Sequence, residues 1–282
     1  MIAFAVRNLK IFLRDRAAVF FSLLAVLIII GLYAAFLGNT LTSGMEGVSG
    51  ARFLMDSWIM AGLLAVASIT TTLGAAGVIV DDKAKGIAKD FRCAPLKRGS
   101  IVGGYLLATV VVGIVLSAAG FVAAEIYIFA NGGKLLTFGA ALKALGLIVL
   151  SCLASGAMVS FVVSFLKTPN ALAVASTIFG TLSGFLMGIY VPVSVLPGTV
   201  QTAVKAFPIS HAAVLLRQVL MEVALAETFA GAPAEAAARF QEDLGVVFTY
   251  GGGVFSAAGS VAVLMGTTVV FFVLAVWRML KE

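Results

Sequence analysis

Six stretches of roughly twenty to twenty-five residues, each without Lys, Arg, Asp or Glu, set the hydrophobic pattern of the chain. They are Ala17–Leu37, Trp58–Val80, Ile101–Ala124, Ala144–Leu166, Ala171–Val191 and Val254–Trp277. At about 1.5 Å per residue each can cross a hydrocarbon core of about 30 Å as an α-helix. Uniformly apolar runs exclude a membrane barrel, whose strands alternate apolar and polar positions, and lipid leaves no other way to satisfy the backbone. The pattern predicts an all-α polytopic membrane protein with six transmembrane helices. It divides into an interfacial segment, 1–16, and a six-span region, 17–282.

The segments between the runs carry the remaining pattern. In 1–16, Val6, Leu9, Phe12 and Leu13 share one side of a helix and Arg7, Lys10 and Arg14 another. That spacing predicts an amphipathic helix lying in the membrane interface with its basic stripe toward phosphates, although Phe4 and Ile11 fall off the apolar side. A plain basic topology signal is the alternative. The segment 81–100 reads DDKAKGIAKDFRCAPLKRGS. Asp81 or Asp82 can cap a helix that Pro95 stops, leaving a short mixed-charge helix with Ile87 and Phe91 at i, i+4. An apolar pair so placed suits docking into a partner's groove; a solvated loop held to the membrane by Lys97 and Arg98 is the blander reading. In 192–243, Pro192, Pro197 and Pro208 break any continuous helix, yet much of the segment is too apolar for a free loop, so short helices dipping into the outer leaflet are expected. A helix over 209–225 aligns His211, Gln218 and Glu222, and a turn with a short water-facing helix follows over 226–243.

Composition supports a lipid setting. The 282 residues are 61% hydrophobic and 11% charged, against roughly 25% charged in soluble domains. The mean hydropathy is +1.12. The net charge of +6 does not point to nucleic acid, because six spans with a cytoplasmic N-terminus put thirteen of nineteen basic residues on the inner side. This asymmetry places both termini in the cytoplasm of a multi-pass cell-membrane protein in contact with anionic lipid. Cys93 and Cys152 fall at different depths and lack metal-ligand spacing, so neither a disulfide nor a metal site is expected.

The amphipathic start, the six spans, the DKAKGIAKDFRCAPLKR segment and the GIYVPVSVLPGTVQTAVKAFPISHAAVLLR tract together resemble the type-2 ABC exporter permeases, over the whole chain in order. Relatives of this size and loop style are similar to drug and antibiotic exporters. The resemblance implies that 1–16 is an elbow helix and that Asp82, Lys83, Gly86, Ile87, Lys89, Asp90, Phe91 and Pro95 belong to a coupling loop, 81–100, docking on an ATPase subunit. It implies a pathway between two permeases, identical or paralogous, lined by spans two and five, which nominates Ser68, Thr72, Phe179, Phe185 and Met187. It also implies an external re-entrant region, 192–243, with Pro192, Pro197, Pro208, His211 and Glu222 at its gate. The chain has no phosphate-binding loop of its own, so ATP and magnesium would be bound by the partner subunit and no cofactor by this chain.

Two other classes compete. An ion-coupled secondary transporter would keep ionisable groups at mid-membrane, where Glu125 is the sole candidate and is expected to snorkel; Ser68, Thr70, Thr71 and Thr72 could hold sodium instead. A membrane-embedded enzyme would rest on His211 with Glu222, a single histidine without a metal or nucleophile motif. Gly180, Gly184 and Gly188 form a small-residue stripe suited to a helix contact, within the chain or between permeases.

Overall fold

A computed structural model describes residues 1–33, 35, 48, 50–93, 96–251 and 253–281. The chain is almost entirely helical: α1 Ile2–Arg14, α2 Arg16–Leu32, α3 Ala51–Ala84, α4 Ile87–Cys93, α5 Arg98–Ala130, α6 Phe138–Ser164 and α7 Pro169–Leu186. A 3-10 turn (Val193–Val195) leads to α8 Gly198–Ala206, α9 Ser210–Leu220, α10 Glu222–Thr228 and α11 Ala234–Asp243. A two-stranded hairpin of β1 (Thr249–Tyr250) and β2 (Gly253–Val254) precedes α12 Ala257–Lys281. Helices α3, α5, α6, α7 and α12 are long and apolar enough to cross a membrane. The first expected span is α2, 17 residues long as described, and its expected end lies outside the described residues.

Helix α3 is the axis of the molecule. It packs on α2, α5, α6, α7 and α9. Of its most apolar stretch 78% is buried, against 11% for α7, so lipid or a partner must cover the latter. Hydrophobic sorting cannot bring helices together in lipid; small residues and interhelical hydrogen bonds must. A Cβ on Gly113 of α5 would come within 2.5 Å of Thr72 Cγ2 on α3, which shows how closely the backbones approach. Around this contact Ser68, Thr71, Thr72, Ser117, Ser151 and Ser155 form a buried hydroxyl belt joining α3, α5 and α6.

Both termini lie at one end of the bundle: Met1 lies against Gly103, and Met279 and Leu280 pack on Val102 and Leu106. Several expected boundaries move. Helix α3 extends the second apolar run at both ends, taking Arg52 and Asp56 into its first turns and Asp81 and Asp82 into its last. Asp82 therefore does not cap α4, as the sequence led one to expect; α3 stops because Gly86 takes a left-handed conformation (φ 77°) just past its end. The fifth span ends early, at Leu186, because Gly188 turns left-handed (φ 63°). That takes Gly188 out of any helical stripe, and Gly184 faces Tyr190 of its own chain, so the expected small-residue stripe reduces to Gly180, which meets open space. The helix expected over 209–225 is broken at Met221 into α9 and α10. The water-facing helix after the turn is present as α11, which buries no residue.

Candidate functional site

Two polar constellations stand out, one at each end of the bundle. At the end holding the termini, Asp82 is buried in the last turn of α3. Its carboxylate accepts from both terminal nitrogens of Arg7 on α1, with Nη2 at 3.1 Å from Oδ1, and from the Tyr105 hydroxyl of α5 at 2.6 Å. The bond to Asp82 raises the Arg7 guanidinium above its ordinary value and outweighs the opposing effect of its partial burial. The same guanidinium lies 4.9 Å over the Phe91 ring of α4, and Phe4 meets Phe91 and Tyr105 edge-on at 4.9 Å each. Four elements, α1, α3, α4 and α5, are thus tied through one carboxylate and one aromatic cluster.

This arrangement revises the expected faces of α1 and α4. The buried side of α1 is Ala5, Asn8 and Phe12, helped by Phe4, while Val6 and Leu13 are exposed. Arg7 leaves the basic stripe for Asp82, because a buried carboxylate needs a cationic or hydrogen-bonding partner. Phe91 and Ile87 are half-buried, Phe91 against α1, whereas Lys89, Asp90 and Cys93 face outward. Lys83 points back into the bundle, donating to the Ser164 carbonyl at 2.7 Å. Pro95 lies outside the described residues.

At the far end, Arg217 on α9 is 2% exposed and, among the described residues, bonds no carboxylate. It donates to the carbonyls of Met187 (2.6 Å), Gly188 (3.2 Å) and Gly245 (3.2 Å), and stacks 5.0 Å over Trp58, whose indole N–H donates to Leu244 O at 2.8 Å. Those carbonyls belong to the C-terminal ends of α7 and α11, where the helix dipoles are negative. Both ends turn through left-handed glycines, Gly188 and Gly245, that abut the guanidinium. Burial pushes Arg217 below the usual arginine range. His211, earlier on the same helix, is buried and bridges Lys205 O and Ser260 Oγ, both at 3.1 Å. A carbonyl can only accept, so Nε2 carries the proton and Nδ1 accepts from Ser260. Desolvation lowers the His211 pKa more than its bond to Lys205 raises it.

The prolines punctuate this region as expected: Pro192 precedes the 3-10 turn, Pro197 precedes α8, and Pro208 lies between α8 and α9. Glu222, however, is exposed at the start of α10 while His211 is buried in α9, so the two do not share a site. The nominated pathway residues are also scattered. Ser68 donates to Ala65 O and accepts from Ser151 and Ser155, filling its one donor and two lone pairs. Thr72 donates into its own helix, and Met187 is buried beneath Arg217. Phe179 is partly buried against the core, and Phe185, paired edge-on with Tyr190 at 5.2 Å, is the exposed member.

A family model described as ABC-2 family transporter protein matches residues 40–277. The chain belongs to that family. No curated protein matches it. The ABC-2 protein is thus a multi-pass membrane permease, the transport subunit of an ABC transporter.

In this ABC-2 permease, Asp56, Asp82, Tyr105 and Arg217 are the polar residues whose roles pattern reading underestimates. Arg217 reads as one of several outer cations, and only its place in a tract too apolar for a loop hints at burial. Asp56, 1% exposed, pairs with Arg52 (3.0 Å), which also reaches Tyr127 and Asn131 on and beyond α5. Glu125 is held within α5, which continues to Ala130, and accepts the Leu136 amide at 3.1 Å, closing the turn into α6.

Proposed function

We propose that this ABC-2 permease is the membrane subunit of an exporter, with both termini cytoplasmic, driven by a separate ATP-binding-cassette subunit that holds ATP and magnesium. A single observation carries the reading. The short charged helix α4 projects from the terminal end of the bundle and is fastened through Phe91 and Arg7 to both α1 and the axial helix α3. A push on α4 therefore reaches α3, and through it α2, α5, α6 and α7, without crossing flexible chain. Helix α4 is then the coupling helix, α1 the elbow, and 192–243, with Arg217 buried within it, the external gate.

Two copies, or this chain and a paralogue, would enclose the pathway at the poorly covered face of α7, where Val174, Ile178, Leu182 and Phe185 are exposed. An apolar lining with little charge suits amphipathic or lipophilic cargo such as drugs, antibiotics, peptides or lipid-like molecules. The test is transport of a fluorescent lipophilic cation by proteoliposomes containing the permease and its ATPase subunit. ATP-dependent movement that stops in a Phe91→Ala, Arg7→Met variant while the ATPase remains bound is the expected result. Movement driven by a sodium or proton gradient in vesicles lacking any ATPase would overturn it.

A further inference from the structure

We propose that an anionic phospholipid, from the leaflet at the end of the bundle holding the termini, is a specific ligand of this chain. One acyl chain seats in a groove between α5, α6 and α12, and Lys97 and Arg98 hold the phosphate. The groove has a volume of about 210 Å³. Helix α5 lines it from Gly103 to Val110, α6 with Leu153 and Gly156, and α12 with Thr268 and Phe272, while Met1 lies against Gly103 at the terminal end. Its one side-chain hydroxyl, that of Thr268, already donates to Leu264 O at 2.8 Å, so the lining keeps no side-chain donor for a polar ligand. Space of this kind forfeits dispersion contacts, and water, which needs polar partners, does not restore them; a flexible hydrocarbon chain does. Leu107, Leu153 and Phe272 are exposed along the rim, so the groove opens sideways to the membrane. A second permease is the rival occupant. Helix α7, the poorly covered one, packs on α3 and makes no substantial contact with α5, α6 or α12, so pairing through α7 leaves the groove to lipid.

Charge selects the lipid. Gly99 and Gly103 follow one line along α5, and Lys97 and Arg98 flank the head of that line. Both cations are exposed and, among the described residues, neither bonds a carboxylate. Gly99 meets open space, which leaves a bare track from the cations to the groove. Nearby on α3 and α4, Asp81 pairs with Lys85, and the exposed neighbours Lys89 and Asp90 cancel, so the excess from Lys97 and Arg98 stands. From Arg98 to Val110 helix α5 rises about 18 Å, close to one leaflet of a core about 30 Å thick together with its headgroups. On the opposite wall Trp277 is exposed beneath the Lys281 ammonium, 3.8 Å from its ring, an aromatic and basic pair typical of the headgroup level. Nothing in this site depends on an ATPase subunit.

The test places the full-length permease in phosphatidylcholine liposomes with a small fraction of phosphatidylglycerol carrying a diazirine midway along one acyl chain. Photolysis and peptide mass spectrometry then map the adducts. Adducts are expected around Leu107, Leu153 and Phe272 in excess over those around Ile178, whose exposed face on α7 reports ordinary boundary lipid. Thr268→Phe, which fills the groove, should remove the excess. The half-saturating fraction of probe should rise about fivefold on Arg98→Gln and again on Lys97→Gln, and these surface variants keep the test decisive if Thr268→Phe fails to fold. Equal labelling of the groove and of α7, or equal labelling of the groove by a phosphatidylcholine probe, would overturn the site. Displacement of the probe by a fluorescent lipophilic cation but not by unlabelled phosphatidylglycerol would make the groove a cargo lane and overturn it as well.

Discussion

At the scale of single residues, the end of the bundle opposite the termini hangs on Arg217. An uncompensated guanidinium in a buried site is tolerable because three carbonyls at two helix ends, and the face of Trp58, stand in for a counter-ion. Arg217→Met removes the donors and orphans those carbonyls, at a cost on the order of 3 kcal/mol. The detergent-solubilised protein should then melt roughly 6–12 °C lower, followed by intrinsic fluorescence. Arg217→Lys should recover only part of this, since a compact ammonium lacks the fork that spans α7 and α11. His211 makes the same region acid-sensitive. Its folded pKa lies below the ordinary 6.5, so between those two values the unfolded chain binds a proton that the folded one does not. Its contribution is complete above about pH 6.5, is lost as pH falls toward the folded value, and stays constant below it. Melting temperatures from pH 7.5 to 5 should decline more steeply for the parent than for His211→Gln; parallel curves would remove His211 from the account.

At the scale of elements, the unit is α1, α3 and α4 around the Arg7 and Asp82 pair. A double-mutant cycle with Arg7→Met and Asp82→Asn should return a coupling of roughly 1–3 kcal/mol, because each single change leaves a charged group facing an empty place. Additive effects would mean that the pair is incidental. Where α3 meets α5, a Gly113→Ala change places a methyl 2.5 Å from Thr72 Cγ2 and should lower stability by about 1–3 kcal/mol, with relief from a simultaneous Thr72→Ser. Helix existence was legible from charge-free runs, but helix ends were not. The runs stop at the first charge, and Asp56 and Asp82 continue α3 because Arg52, one turn away in the same helix, pairs the first, while Arg7 and the Tyr105 hydroxyl, on elements that sequence spacing does not bring near, engage the second. Conversely, Met187–Val191 is apolar yet non-helical, because Gly188 adopts a conformation that ends the helix and exposes carbonyls for Arg217.

At the scale of the whole molecule, α3 is saturated with neighbours and α7 is nearly bare, an imbalance that a lone chain in lipid does not require. If α7 faces a second permease, a cysteine at Ile178, in a Cys93→Ser, Cys152→Ser background, should form a cross-linked dimer in membranes, whereas one at the buried Ser68 should not. Cross-linking at neither position would place the pathway elsewhere.

Five span regions, their helical nature, the polar segments between them and the family could all be read from the order of residues. Those features follow from local facts: the length of apolar runs, the positions of prolines and the distribution of charge along the chain. Which charges are paired, which side of α1 and α4 is free, and that Ser68 has no hydrogen-bonding capacity left were decided by tertiary structure alone. Each depends on groups far apart in sequence meeting in a medium without water, where a polar atom takes whatever partner the packing supplies.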